Sequence, residues 1–204
     1  MRIWSDSFKP RGPIPAQFAM GQADGFAGNR NPHLAWDDVP AGTRSFALLC
    51  IDTDAPTVAE TVGRTDLEIP VEQPRAGFVH WTMVDIPADL RGIAAGSCSD
   101  GVTTHGKQHP PGPDRARQGC NDYSGWFTGD SDMAGDYLGY DGPYPPFNDL
   151  HVHRYFFRLF ALGLASLALP DGFTEAGVFH AMRGHVLAEA AVHGTYSLHP
   201  APRG

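Results

Sequence analysis

Hydrophobic and polar positions alternate in short runs along much of this 204-residue chain, the period-two signature of strands that bury one face. Ser45-Phe46-Ala47-Leu48-Leu49-Cys50-Ile51 is apolar at nearly every position, which predicts a central strand covered on both faces. Gly77 to Pro87 predicts a second long strand, on which His80 shares a face with Phe78, Thr82 and Val84. His153-Arg154-Tyr155-Phe156-Phe157 opens a third, which runs as a buried segment to Leu164. On it His153, Tyr155 and Phe157 point one way, Arg154 and Phe156 the other. Leu34 and Trp36, two apart, predict a shorter strand closed by Pro40-Ala41-Gly42, with Trp36 as a core anchor.

Only one segment changes period. Thr174 to His193 reads as a helix, with Thr174 as N-cap, Glu175 in the first turn and Gly194 as terminator. Phe179, Met182, Val186 and Ala190 would form its apolar stripe. His180, His185 and His193 share no tight face at metal-ligand spacing and read as surface or helix-end residues. Residues 1–31 are punctuated by proline and glycine and predict short strands and turns. Residues 57–76, with Pro70 and Pro74, predict an irregular excursion. Residues 88–139 are loop-like, with His109-Pro110-Pro111-Gly112-Pro113 unable to form regular structure. So long an irregular stretch carries function or wraps a core, and Asn121 to Phe127 within it supplies a short strand or an aromatic plug. No repeat or linker divides the chain, so one domain spanning 1–204 is expected.

Composition narrows the function. A formal net charge of -8 excludes the basic stripe of a nucleic-acid groove and general adhesion to anionic membranes. Three cysteines, Cys50, Cys98 and Cys120, are too few and too widely spaced for a disulfide framework or a zinc site. No signal-peptide-like or membrane-spanning stretch is present, so a cytoplasmic location is expected.

The candidate chemistry gathers where strands end. Tyr140-Asp141-Gly142-Pro143-Tyr144-Pro145-Pro146 is a stiff turn leading towards His153. His153 and Tyr155 are expected to line a small pocket with this loop as its rim. Asp52 and Asp54, two apart, project from one face or form an acidic turn. His80 taken alone is a core histidine, and gains interest beside Asp52, Asp54 and His153.

Four segments, in order, resemble the phosphatidylethanolamine-binding protein family, which includes the Raf-kinase-inhibitor proteins. Asp52-Thr53-Asp54-Ala55-Pro56 is similar to its D-P-D-A-P motif, with Thr53 in place of proline. Gly142-Pro143-Tyr144-Pro145-Pro146 followed by His153-Arg154-Tyr155 is similar to its G-x-x-P-P…H-R-Y motif. His80-Trp81 resembles the histidine of the next strand, and Asn29 to Pro40 resembles the bacterial, Raf-kinase-inhibitor-like branch. The departures lie in the loops: 57–76 and 100–139 look long, and Phe147 to Val152 replaces a short Lys-Gly-containing link.

The resemblance implies a mainly β fold, a Greek-key type sandwich of two antiparallel sheets with long loops and a C-terminal α-helix. It implies that Asp52, Asp54, His80, His153 and Tyr155 line a pocket for a phosphate or phospholipid headgroup, edged by Gly142, Pro145 and Pro146. It implies a non-enzymatic binder without a cofactor, acting on a small anion or a phosphorylated side chain, with a kinase or protease as protein partner. A homodimer is compatible with it. In this reading the carboxylates orient and charge the imidazoles, which then offer N–H donors to an anion. Two aspartates and two histidines would also suit a metal-assisted hydrolase, although their spacing matches no defined motif. No Gly-x-Ser-x-Gly element suggests a serine hydrolase.

Overall fold

In the structure, a computed structural model whose described residues are 1–203, the predicted strands lie side by side. In chain order the elements are β1 (Arg2–Trp4), β2 (Gly21–Gln22), β3 (Gly25–Phe26), β4 (Leu34–Asp37), β5 (Ser45–Pro56), β6 (Arg75–Pro87) and β7 (Gly92–Ile93). They continue with β8 (Arg117–Gln118), the single helical turn α1 (Tyr123–Trp126), β9 (His153–Leu162), α2 (Glu175–Ala181) and β10 (Val186–Tyr196). A five-stranded sheet has the order β10-β9-β5-β6-β8, and a three-stranded sheet the order β1-β4-β7. Every pairing between these strands is antiparallel.

The unbroken apolar run of β5 is explained by what covers it. Phe46, Leu48 and Cys50 pack with Trp81, Phe157 and Leu159 against Leu34, Trp36 and Ile93 of the smaller sheet. Ala47, Leu49 and Ile51 face the other way, into a second cluster closed by Phe173 and by Val178 of α2. Fully burying a side chain of this size contributes about 1.5–3 kcal/mol, so a polar substitution on either face of β5 would break one layer.

The long C-terminal helix is not formed. Helix α2 ends at Ala181, and Gly184 at φ 79° turns the chain back. From Val186 it becomes β10, paired along its length with β9. The reason is legible in the alternation Ala188, Ala190, Val192, Gly194, whose members are each more buried than Leu187, Glu189 and Ala191 beside them. Alanine fits either period, so spacing alone misassigned the segment. Gly194 is no terminator: it lies inside the strand, where an added Cβ would sit 2.6 Å from Ile14 Cγ1. Thr174 occupies the N-cap position of α2, but its side chain makes no capping bond.

Residues 57–76 and 88–139 are largely irregular, as expected, and strap the far end of the sheet. Asn148 donates to the carbonyls of Thr61 and Leu67, and the 147–152 link pairs with Ile69. Asn121 to Phe127 forms a turn of helix rather than a strand, with Tyr123 and Phe127 stacked as the plug. Among the described residues no helix is long and apolar enough to cross a membrane.

Candidate functional site

A cavity of about 340 Å³ opens where β9 begins and β5 nears its end. That is the liquid volume of roughly eleven waters, room for a small organic molecule. Asp52, His80, His153 and Tyr155 all line it, with Pro145 and Pro146 at its side. The Pro-rich loop holds its place through backbone partners. Gly142 N–H donates to Asn29 Oδ1 at 2.8 Å, Tyr123 Oη donates to the Gly142 carbonyl at 2.9 Å, and Met20 N–H donates to the Pro143 carbonyl.

Two expected members stand outside it. Gly142 supports the loop from behind, where a Cβ would lie 2.2 Å from the Phe18 carbonyl. Asp54 does not line the cavity, although its N–H donates to Asp52 Oδ1 at 2.8 Å. Its carboxylate instead accepts from Arg154 Nη2 at 2.7 Å, Nε at 2.9 Å and the Arg154 N–H, with His151 Nε2 at 3.3 Å. Burial opposes that carboxylate's charge, but the Arg154 bonds outweigh it and hold its pKa at about 2.

The two histidines differ in state. His153 is buried, with Nδ1 2.7 Å from Asp52 Oδ2 and Nε2 3.0 Å from Asp149 Oδ2. Both partners are acceptors, so both nitrogens donate and the ring is an imidazolium. Burial works against that charge, yet the Asp52 and Asp149 carboxylates prevail and push the pKa up to about 9. Asp149 is gripped from outside by Arg75, at 2.5 and 3.1 Å. His80 goes the other way. Its Nδ1–H donates to the Asp141 carbonyl at 2.8 Å, and burial lowers its pKa despite the nearby Asp52 charge. It is therefore a neutral ring with Nε2 as an acceptor. The expectation that the carboxylates make both imidazoles donors to a ligand fails on both: His153 has no free N–H, and His80 is uncharged.

Tyr155 is fully buried, and its hydroxyl lies near the Asp52 carboxylate without forming a hydrogen bond of good geometry. Burial, and then the Asp52 charge, keep the phenol protonated. Its ring centroid lies 5.2 Å from that of His80.

Sequence reasoning missed Asp149, Asp141 and Lys107. Asp141 accepts from Asn29 Nδ2 at 2.7 Å, Asn121 Nδ2 at 2.9 Å and Lys107 Nζ at 2.6 Å, which fixes the carbonyl that sets the His80 tautomer. Asp149 carries a faint signal, lying four residues before His153, but only the 57–76 straps turn it inward. The aromatic lining was legible only as the plug: Phe78, Trp126, Tyr144 and Phe147 join Tyr123 and Phe127 around the cavity.

Fold and site together define a mainly β protein with paired sheets and long loops around a small-molecule-sized cavity. A family model described as phosphatidylethanolamine-binding protein matches residues 4–197, and the chain belongs to that family. It is 36% identical over 196 residues to a UPF0098 protein of Methanothermobacter thermautotrophicus, covering 96% of this chain and 98% of that one. It is 30% identical over 197 residues to the UPF0098 protein YbhB of Escherichia coli, covering 97% and 100%. Among solved structures, that of Escherichia coli YbcL, described as a new member of the mammalian PEBP family, superposes with a TM-score of 0.72. The two share 25% identity, over 96% of this chain and 97% of that one.

Proposed function

We propose that this protein is a non-enzymatic, cytoplasmic binding protein, a single domain whose cavity takes a small ligand with a phosphate-like group, free or in a headgroup. The observation that carries the reading is the Tyr155 hydroxyl, wholly buried at the cavity beside the Asp52 carboxylate and without a hydrogen bond of good geometry. An unmade hydrogen bond of this kind costs about 1–3 kcal/mol, and a ligand oxygen on Tyr155 Oη recovers it. His80 Nε2 offers the complementary acceptor, suited to the O–H of a singly protonated phosphate or to a proton taken up with a dianion. Three free cysteines accord with a reducing compartment.

The donor chemistry gives no support to a metal-assisted hydrolase, because Asp54 is committed to Arg154 and both His153 nitrogens to carboxylates. A phosphorylated side chain of a kinase or protease partner is a second reading. It is favoured by the exposed aromatic residues around the mouth, Trp126, Tyr144 and Phe147. Competition of partner capture by free phosphate tests it.

The primary test is calorimetric titration of wild type and Tyr155→Phe with inorganic phosphate and phosphoethanolamine. The expected result is an affinity about tenfold weaker in the variant, the loss of roughly one hydrogen bond, with the fold intact. Equal affinity in the two proteins would refute the assignment.

A further inference from the structure

The polar floor of the cavity is sealed from solvent. Tyr155 is 0%, His153 1% and His80 2% exposed, whereas Tyr144 and Trp126 on the rim are 38% and 48% exposed. A ligand that reaches Tyr155 Oη must displace part of the wall, and the walls are not equally anchored. Residues 62–63 are tied by the Gly63 N–H to Asn148 Oδ1 at 3.0 Å, and the 123–127 plug by Tyr123 Oη to the Gly142 carbonyl. The chain beyond Leu198 is tied by the Arg203 N–H to the Leu150 carbonyl.

The β2–β3 hairpin, which contributes Gln22, Ala23 and Gly25 to the wall, is different. Its strands are two residues each, paired Gly21 with Phe26 and Gln22 with Gly25, and so short a ribbon has little stability of its own. The base is held: the Gly21 N–H donates to the Pro143 carbonyl at 3.1 Å, and Tyr196 Oη donates to the Gly21 carbonyl at 2.9 Å. From Gln22 to Phe26, among the described residues, no hydrogen bond leaves the hairpin. What pins the tip is Phe26, edge-on to Tyr144 with ring centroids 6.1 Å apart, and both rings are exposed. Gln22 is the only carboxamide among the described residues lining the cavity, half-buried and with an unbonded side chain. It carries two N–H donors and an acceptor. The floor is short of donors, because both His153 N–H groups go to Asp52 and Asp149 and His80 offers a lone pair.

Resting on the reading of the cavity as a ligand site, we propose that the β2–β3 hairpin is a flap that lifts to admit the ligand and closes on it, with Phe26 against Tyr144 as its latch and the Gln22 amide as a ligand contact that sets specificity. Closure supplies N–H donors that the floor lacks, so an anion is held without a free cation. Latch and contact have different kinetic signatures. The latch acts on the empty and the filled cavity alike, so weakening it speeds entry and exit together and cancels in the affinity. A contact made only after closure acts on exit alone.

Stopped-flow mixing with inorganic phosphate and with phosphoethanolamine tests this, read by tryptophan fluorescence because Trp126 lines the cavity. It is run on wild type, Phe26→Ala, Gln22→Ala and Tyr155→Phe. Phe26 belongs to none of the hydrophobic clusters and Gln22 is polar, so both hairpin variants keep the fold, which an unchanged melting temperature checks. The expected result for Phe26→Ala is association and dissociation rates both raised severalfold, with affinity little changed. Gln22→Ala should raise the dissociation rate about tenfold, the loss of roughly one charged hydrogen bond, and leave association as in wild type. If Tyr155→Phe weakens binding while either hairpin variant keeps both wild-type rates, the inference is overturned and the ligand-site reading stands. Binding of neither probe to wild type would overturn both.

Discussion

The imidazolium at the cavity floor makes the protein's stability depend on pH in a definite direction. His153 has an ordinary pKa of 6.5 and is held at about 9 in the folded protein. Its stabilising contribution is therefore fully present below about pH 6.5 and is lost as pH rises through about 9. The shift of about 2.5 units corresponds to roughly 3 kcal/mol in all, of which about 2 kcal/mol disappears between pH 6.5 and 8.5. Few other groups interfere in that window. His80 is displaced downward, so its effect is confined below pH 6.5, and the cysteines Cys50, Cys98 and Cys120 are displaced upward from 9.0. Urea unfolding followed by tryptophan fluorescence at closely spaced pH values reads the slope. Wild type should lose about 2 kcal/mol across the window, and Asp149→Asn, which removes one of the two carboxylates, should lose distinctly less. A flat or rising stability over the same range in wild type would refute the imidazolium assignment.

Arg154→Ala should raise the Asp54 pKa from about 2 towards its ordinary value. The stability this carboxylate lends is present above its unfolded pKa of 3.8 and is lost as pH falls through about 2, so the variant should unfold at higher pH on acidification, as circular dichroism would show. Gly142→Ala places a Cβ 2.2 Å from the Phe18 carbonyl and should cost about 1–3 kcal/mol while displacing the Pro145-Pro146 rim, measurable as a lowered melting temperature. Phosphate affinity should fall as pH rises from about 5.5 to 8.5, because His80 accepts rather than donates unless a proton accompanies the anion; calorimetry in buffers of different ionisation enthalpy should report proton uptake at the lower end. A pH-independent affinity would exclude His80 from the contact.

The sequence revealed the parts of the fold that rest on simple periodicity. β5, β6 and β9 were visible as apolar runs, and their pairing brings Asp52, His80, His153 and Tyr155 to one cavity from distant stretches of chain. The tail beyond Gly184 was misread because alanines at 188, 190 and 191 satisfy a helix and a strand alike. Asp54 is held outside the cavity by Arg154 and His151, contacts that no spacing rule announces. The partnership of His153 with Asp149 depends on loop straps from Ile69 and Asn148, contacts that are long-range and leave almost no local trace.

The most direct measurement is a crystal structure of the protein soaked with phosphoethanolamine. The account predicts density in the cavity with a phosphate oxygen within hydrogen-bond distance of Tyr155 Oη. Density for the compound only at other surfaces, with Tyr155 Oη bonded to water alone, would contradict it.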